Sequence, residues 1–338
     1  MVVRISEKEA LFFILSCYDN QEERMKKIAG IDAGSKALEC RISGEVESRE
    51  FANTSKGHLK LLKTLRKKGV ELVVMESTGG YERAFCRVLW AAEVPVSVLN
   101  PHWVRSFAKS EGRYAKNDAI DAAILVRYGE RMDPRPTPPI SEEIERLRIL
   151  LTRREQLLDM LVKEKNHEKA PCVSAEVRSS IRSVRKVIQA QIKQTNALID
   201  DIINSSPAMK PRAELLRQRT GVGPVLMATL IADMPELGFV RRNVASALIG
   251  VAPYDRDSAT HSGDRRIAGG RSRPRRALYM ATLAAIRHDH ITKNFYKRLL
   301  SRGKPRKVAI VACMRKFIIH LNSVLKQNPQ QHFMTINA

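Results

Sequence analysis

Four carboxylates in the first part of the chain have the types and spacing that metal-dependent chemistry on nucleic acid requires. Asp32 ends the apolar run IAGID, Glu76 ends the run VELVVME, and Asp118 and Asp121 lie in KNDAIDAAIL. The two runs predict strands, whereas the helical periodicity of the third segment puts its two aspartates on one helix face. Carboxylates that converge in this way repel one another unless cations lie among them, and oxygen-only ligand sets suit Mg²⁺. The four residues therefore predict a magnesium site.

Arginines dominate a second stretch, residues 265–276, which contains no acidic residue. Gly263, Gly269 and Gly270 predict that this stretch is a loop rather than a strand or a helix. Arginines in such a loop can clamp phosphates with two parallel hydrogen bonds. The predicted phosphate-binding residues are Arg265, Arg266, Arg271, Arg273, Arg275 and Arg276.

A serine directly precedes this arginine block. Ser262 lies between His261 and Gly263. A serine hydroxyl is a poor nucleophile unless a base takes its proton or cations stabilise the charge that develops during attack. The arginines could supply those cations. Ser258 and Ser272 are rival hydroxyls, and the alternative is a polar loop that binds phosphate without chemistry.

A Gly-Val-Gly turn marks a further candidate contact with nucleic acid. Gly221 and Gly223 separate two predicted helices, and a glycine turn before a helix lets backbone N–H groups approach a phosphate. The pattern resembles a helix-hairpin-helix DNA-binding element. A tight turn between two core helices is the alternative.

The charge balance indicates which partner the chain binds. Lys and Arg number 59 against 36 Asp and Glu, a formal net charge of +23. Such an excess weakens the compact state through self-repulsion. A small-molecule enzyme has no need of it. A protein that binds polyphosphate needs it for phosphate contacts and counterion release. An anionic membrane surface is the competing partner, but no amphipathic basic helix dominates the chain, so nucleic acid is favoured.

Cysteine usage and the start of the chain predict a cytoplasmic location with no membrane partner. The five cysteines are scattered without a Cys-x-x-Cys pair, which argues against zinc and disulfides and fits a reducing compartment. The apolar run from Ala10 is too short to span a bilayer. Residues 1–24 precede the first predicted strand, either as an extension before a natural start at Met25 or as an N-terminal helix.

The order of predicted elements favours an α/β domain over residues 25–135. Three strands follow one another, helix and strand then alternate, and a long helical region runs from His102 to Met132. A mixed sheet with acidic strand ends matches the ribonuclease H-like (RuvC-like) arrangement. The proline-rich segment 132–139 predicts a linker.

Beyond the linker the sequence predicts helices almost exclusively. Residues 140–204 read as a coiled-coil helical hairpin whose apolar seam includes Ile144, Leu158, Val184 and Leu198, and this seam predicts self-association as a dimer or tetramer. The alternative is a seam that packs only on its own domain. Residues 212–326 form a mainly α C-terminal domain, followed by a polar tail, 327–338.

Five signatures in this order resemble the DEDD transposases of a group of bacterial insertion sequences, the IS-one-ten/IS-eleven-eleven group. The resemblance extends from about Met25 to about Val324. Its signatures are GIDAGS around Asp32, MESTGGY around Glu76, KNDAIDA around Asp118 and Asp121, GVGPVLMATL from Gly221, and GVAPYDRDSATHSGDRRIAGGRSRPRRALYMA from Gly250.

The resemblance implies a RuvC-like domain, a coiled coil and a C-terminal transposase domain. Members of the group are recombinases guided by a structured RNA from the element's own end, a bridge RNA, which pairs with donor and target DNA. By this resemblance Asp32, Glu76, Asp118 and Asp121 hold Mg²⁺ near the scissile phosphate. Ser262 is the nucleophile that forms a transient phosphoserine link, in a composite site built when the two domains meet on DNA.

Three functions remain in competition at this point. The first is an RNA-guided DNA recombinase in which Ser262 attacks DNA. The second is a Mg²⁺-dependent junction endonuclease in which water attacks and Ser262 only binds phosphate. The third is a basic nucleic-acid-binding protein without activity, against which the intact acidic quartet argues.

Overall fold

The computed structural model describes residues 26–77, 79–113, 118–171, 174–255 and 265–328. Ser258 and Ser262 lie outside these ranges, as do residues 1–24 and most of the predicted tail, and the side chain of Asp118 lies outside the description. The described chain divides into two compact units, with the boundary between Pro139 and Ile140.

A five-stranded mixed sheet forms the centre of the first unit. Its strands lie in the order β3-β2-β1-β4-β5. The first three run antiparallel to one another, whereas β1, β4 and β5 are parallel. This is the ribonuclease H-like arrangement that the sequence predicts. The strands are β1 (Ile28–Ala33), β2 (Ala37–Ile42), β3 (Arg49–Ala52), β4 (Leu72–Glu76) and β5 (Val96–Leu99).

Four helices cover this sheet. Thr54 caps the first one by accepting a hydrogen bond from the N–H of Gly57, a role that threonine favours at the start of a helix. The helical region predicted from about His102 to Met132 consists of two helices, and the first is followed by a turn at Gly112, whose φ is +71°. The helices are α1 (Ser55–Lys67), α2 (Arg83–Ala91), α3 (Pro101–Ser110) and α4 (Asp118–Met132).

The two faces of β1 meet different helices, because successive side chains of a strand point to opposite sides. Ala29, Ile31 and Ala33 belong to the core that also contains Leu61 of α1 and Phe85 of α2. The alternate positions of β1 face the opposite side, where Ile28 packs with Leu125 and Tyr128 of α4. Asp32 therefore shares its face of the sheet with α4.

Glycines bring α4 very close to β1. A Cβ on Gly30 would lie 2.7 Å from the backbone nitrogen of Val126, and closer still to the carbonyl oxygen of Ala122. A Cβ on Gly129 would lie 2.8 Å from Cγ2 of Ile28. Later helix residues thus meet earlier strand residues, so α4 runs antiparallel to β1 and its N-terminal end points toward Asp32.

Gly30→Ala is expected to destabilise the first unit by about 2–3 kcal/mol, since the added methyl group meets backbone atoms that cannot rotate away. Urea unfolding measures the loss. Gly34→Ala is the control: its Cβ would lie 3.2 Å from the carbonyl oxygen of Ala37, so a small shift relieves the contact and the loss should be under about 1 kcal/mol. Equal stabilities of the two variants would show that α4 does not pack on β1 in this way.

In the residues that the structure describes, the second unit consists of helices and one short two-stranded ribbon. Two long antiparallel helices form the predicted hairpin, and six shorter helices make up the rest of the described helical part. The helices are α5 (Glu142–Glu168), α6 (Ala175–Ser205), α7 (Lys210–Arg217), α8 (Pro224–Asp233), α9 (Arg242–Ile249), α10 (Ser272–His288), α11 (His290–Ser301) and α12 (Arg306–Lys326). The ribbon consists of β6 (Pro253–Tyr254) and β7 (Arg266–Ile267).

The base of the hairpin shares a core with the shorter helices. Leu147 and Ile203 of the hairpin are buried together with Met227 of α8 and Ile318 of α12. Farther out, Leu157, Leu161 and Ile188 form a small core of their own.

The seam predicted along the hairpin is divided between two faces. On α6, Ile181, Ile188, Thr195 and Ile202 are buried, whereas Val177, Val184, Gln191 and Leu198 are exposed at intervals of seven residues. On α5, Leu157 rather than the predicted Leu158 is fully buried. Part of the seam therefore stabilises this unit, and a second apolar row remains on its surface.

Helix α12 is long and apolar enough, by composition, to cross a membrane. Half of its most apolar window is buried inside the unit. Phe317, Ile318 and Leu321 are among its core residues. This burial is what the core helix of a folded domain shows.

Candidate active site at the sheet edge

Asp32 and Glu76 lie side by side at the carboxyl ends of the parallel strands β1 and β4. We call this end of the sheet the sheet edge. In the parallel pair β1–β4, Ile31 is opposite Met75, and each of the two acids is the next residue of its strand. Neighbouring strands are about 4.8 Å apart. Both acids follow the alternation of the face that α4 covers, and both are partly buried. The prediction that two strand ends bring these carboxylates together is consistent with this register.

The N-terminal part of α4, which contains the other two predicted acids, lies near the same edge. Asp121 directly precedes Ala122, which lies over Gly30. Four helical residues from Ala122 to Asp118 advance about 6 Å, close to the roughly 7 Å that two strand residues cover from Gly30 to Asp32. The backbone of Asp118 therefore begins α4 near the level of Asp32, and Asp121 lies one turn further along the helix.

Carboxylate oxygens of the kind found at this edge are suitable ligands for Mg²⁺. Among the described residues, no three His, Cys, Asp or Glu side chains are grouped closely enough to hold an ion. Mg²⁺ in nucleic-acid enzymes is usually bound through one or two carboxylates, several waters and substrate phosphates. The adjacent pair Asp32 and Glu76 meets that requirement, with Asp121 on the helix above.

Two aromatic side chains near this edge escape the sequence analysis. Tyr81 follows β4 and is 49% exposed, and Trp103 follows β5, near the start of α3, and is 59% exposed. Both lie in segments that leave the carboxyl ends of parallel strands, as Glu76 does. Their signal in the sequence was weak, because an isolated aromatic residue is more often part of the core.

The predicted arginine loop is in large part not a loop. Arg266 lies in β7, and α10 begins at Ser272, so Arg273, Arg275 and Arg276 are helical. The prediction of a continuous loop over 265–276 is therefore wrong. Gly269 and Gly270, with φ of +63° and +73°, confine the turn to a few residues before the helix.

Five of the six arginines contact partners within the unit. Arg271 binds Glu236 with two hydrogen bonds of 2.7 and 2.5 Å. Arg273 contacts Glu155, Asp233 and Thr152, and Arg276 also contacts Glu155. Arg265 pairs with Asp255 at 2.6 Å, and Arg275 donates to the carbonyl oxygen of Gly269 at 2.6 Å. Phosphate binding by this group stays a prediction, and it would have to compete with these contacts.

Arg271 and Arg273 form a partly buried cluster of charges with their acidic partners, and this burial affects the pKa values of the cluster. Burial raises the pKa of Asp233 despite the nearby charges of Arg273, Arg148 and Arg271. Burial also acts to raise the pKa of Glu236, but the hydrogen bonds and charge of Arg271 outweigh it, so that pKa is lowered. The hydrogen bond to Glu236 raises the pKa of Arg271. The cluster is thus a network of mutually stabilised charges that holds α10 on α5 and α8.

The Gly-Val-Gly turn places its two glycines in different surroundings. Gly221 has φ of +97°, and a Cβ there would lie 2.9 Å from the carbonyl oxygen of Ala281, so this glycine permits close packing on α10. Gly223 is exposed, caps α8, and has open space where a Cβ would be. Gly221 is thus part of a packed connection between helices, whereas Gly223 lies at an accessible helix N-terminus. Phosphate binding at this N-terminus stays a prediction.

The strand order and the acidic edge define the first unit as a ribonuclease H-like domain. Comparison with known proteins identifies the family. Residues 29–170 match the DEDD transposase model of IS110 elements, and residues 213–297 match the model described as transposase, IS116/IS110/IS902 family. The chain belongs to this family of transposases, and the protein is a DNA transposase/recombinase.

Relatives extend the match over almost the whole chain. The pilin gene-inverting proteins of Moraxella lacunata and Moraxella bovis are each 27% identical over 313 residues, which cover 90% of this chain and 97% of theirs. An uncharacterized 42 kDa protein of insertion element IS900 from Mycobacterium paratuberculosis is 27% identical over 177 residues, 49% of this chain and 41% of that protein.

Among solved structures, RuvC of T. thermophilus in complex with a Holliday junction substrate is 18% identical, with a TM-score of 0.27. The match covers 33% of this chain and 99% of the RuvC chain. A score this low carries no argument, so the fold class rests on the strand order and pairing described above.

Proposed function

We propose that this transposase cuts and rejoins DNA strands with Mg²⁺ held at the sheet edge by Asp32, Glu76, Asp118 and Asp121. The observation that carries the proposal is the placement of Asp32 and Glu76 on neighbouring parallel strands, under the N-terminal end of the helix that bears the two aspartates. Bound Mg²⁺ would neutralise the non-bridging oxygens of the scissile phosphate. The carboxylates would hold the ion and thereby position the phosphate for attack.

The nucleophile we propose is the hydroxyl of Ser262 in the second unit. Attack by its oxygen on phosphorus would form a phosphoserine ester and release the sugar oxygen, which takes up a proton. The bond energy of the ester is retained for rejoining, whereas attack by water would leave a nick. Ser258 lies outside the described residues as well. Ser272 is a weaker candidate. It begins α10 between Arg271 and Arg273, whose guanidinium groups are already paired with Glu236 and Glu155 and so are not free to stabilise the charge of an attack.

Self-association as a dimer or tetramer is part of the proposal. The exposed row Val177, Val184, Gln191 and Leu198 repeats every seven residues along α6. Such a repeat is the spacing of a coiled-coil seam. A second copy of the hairpin would bury this row, with the single polar position at Gln191 restricting the register. A cytoplasmic location completes the proposal, since the substrate is chromosomal DNA.

A structured guide RNA is the proposed source of target specificity. To test this, the chain is expressed together with its flanking DNA, the bound nucleic acid is stripped from the purified protein, and the RNA is sequenced. The expected result is one discrete structured RNA with loops complementary to the element junction and to the target. Recovery of random cellular RNA, released at low salt, would contradict the guided mechanism.

The alternative function is a Mg²⁺-dependent junction endonuclease without a covalent serine intermediate. The adjacent Asp32 and Glu76 favour it as much as the recombinase, because two carboxylates and water suffice for hydrolysis. Only the chemistry at the serine separates the two functions.

A further inference from the structure

We propose that the end of the second unit formed by α11, the turn 302–305 and the start of α12 binds the phosphate backbone of duplex DNA. This proposal rests on the function above and names a DNA-binding surface for it. Seven basic residues lie within fifteen positions there, and the chain contains no Asp or Glu from His290 onward. The basic surface consists of Lys293, Lys297, Arg298, Arg302, Lys304, Arg306 and Lys307.

The charges of the basic surface are available to a partner. All seven side chains are exposed, and none forms an ion pair with a carboxylate in the described part of the chain. The arginines of α10 differ in this respect, because Arg271, Arg273 and Arg276 are bound to Glu236 and Glu155. Cations without a carboxylate partner have no ion pair to lose when a phosphate binds.

The acid that directly precedes α11 in the sequence is already paired. Asp289 begins α11 as its N-cap, and its carboxylate binds Arg219 at 2.8 Å and the N–H of Thr292 at 3.0 Å. Helix α10, which packs against α11, contains no acidic residue. The positive potential of this end of the unit is therefore not cancelled locally.

An aromatic ring holds two cations in place at the edge of this surface. The guanidinium of Arg298 lies 5.4 Å from the ring centre of Phe295, and Nζ of Lys316 on α12 lies 4.7 Å from it. Both distances are within the range of cation–π attraction. Phe295 thus acts as a positioning residue that fixes one cation from each helix.

Duplex DNA is the partner that the charge pattern fits. The cations spread over two helix ends and a turn, as contacts to successive phosphates do. The shallow cavity beside them, of about 120 Å³, is lined by Arg219, Phe295, Lys316, Phe317 and His320, among others. Because its two phenylalanine rings already carry cations at 4.7–5.5 Å, they are not free faces on which an unpaired base could stack.

The experiment compares variants of the full chain for binding to a duplex DNA fragment of arbitrary sequence, by fluorescence anisotropy in EDTA over a range of salt concentrations. The triple variant Lys297→Ala, Arg302→Ala, Lys304→Ala should reduce the slope of log K against log salt by about three, one per lost phosphate contact. The control Lys163→Ala, Lys186→Ala, Lys193→Ala removes the same charge from exposed lysines of the hairpin and should leave the slope nearly unchanged.

Phe295→Leu is the second variant. It removes no charge, and should weaken DNA binding about threefold by freeing Arg298 and Lys316. An unchanged slope in the triple variant, an equal loss in the control, or a loss seen on RNA alone would each overturn the proposal. Because EDTA prevents metal-dependent cleavage, these outcomes are independent of whether the acidic edge cuts DNA. Failure of cleavage with an intact binding surface would count against the proposed function only.

Discussion

Asp32→Asn should lower the rate of Mg²⁺-dependent strand cleavage by about 100-fold to 1000-fold. The amide keeps the size and shape of the side chain but loses the negative charge that holds the cation, and metal stabilisation of the transition state contributes several kcal/mol. A labelled DNA substrate carrying the element ends, with cleavage followed on a denaturing gel over a Mg²⁺ series, measures the effect.

The matched control is Asp159→Asn, which makes the same substitution at an exposed aspartate of α5. Its cleavage rate and its Mg²⁺ dependence should equal those of the parent protein. Glu76→Gln should reproduce the loss seen at Asp32, because the two carboxylates occupy equivalent positions on β1 and β4. Normal cleavage by either edge variant would refute the metal site. Comparing Asp118→Asn with Asp121→Asn would show which helix residue completes it.

Ser262→Ala should eliminate a covalent protein–DNA adduct that the parent protein forms. The reason is chemical, since only the hydroxyl oxygen can form the phosphoserine ester, and alanine has none. Trapping the reaction in denaturant and detecting protein bound to labelled DNA measures the adduct. DNA binding should persist, because the substitution removes no charge.

Ser258→Ala and Ser272→Ala are the controls for this experiment, and both should retain the adduct. Transfer of the loss to Ser258→Ala would move the nucleophile by four residues and keep the mechanism. If no variant and no parent protein ever forms an adduct while Mg²⁺-dependent nicking persists, the hydrolytic endonuclease is the correct function. The two experiments together therefore separate the metal site from the covalent step.

Much of the first unit could be predicted from local sequence patterns. Buried runs of apolar residues predict β1 and β4, and Thr54 marks the start of α1, because strand burial and helix capping depend on residues close in sequence. The acids at the strand ends follow from the same patterns. That Asp32 and Glu76 are neighbours depends on the pairing of β1 with β4, which the α/β order implies.

The arginines show where local patterns were insufficient. A stretch rich in glycine and arginine predicts an open, phosphate-binding loop. The partners of Arg273 and Arg271 are Glu155 and Glu236, 118 and 35 residues away in sequence. No local pattern contains such a pair. These ion pairs form only when α5, α10 and the segment after α8 pack together. The tertiary structure alone could therefore show that Arg271 and Arg273 are already paired, whereas the cations of α11 and the turn after it have no carboxylate partner in the described part of the chain.

The sequence by itself determined the chemical inventory, namely the four acids, the candidate serine and the excess of positive charge. It also determined the order of strands and helices, since these depend on periodicity and capping within short segments. The tertiary structure decided how closely α4 lies on β1, through Gly30 and Gly129, and which cations are already paired. The helix–strand distance and the ion pairing both depend on contacts between residues far apart in the chain. Local sequence patterns contain no information about such contacts.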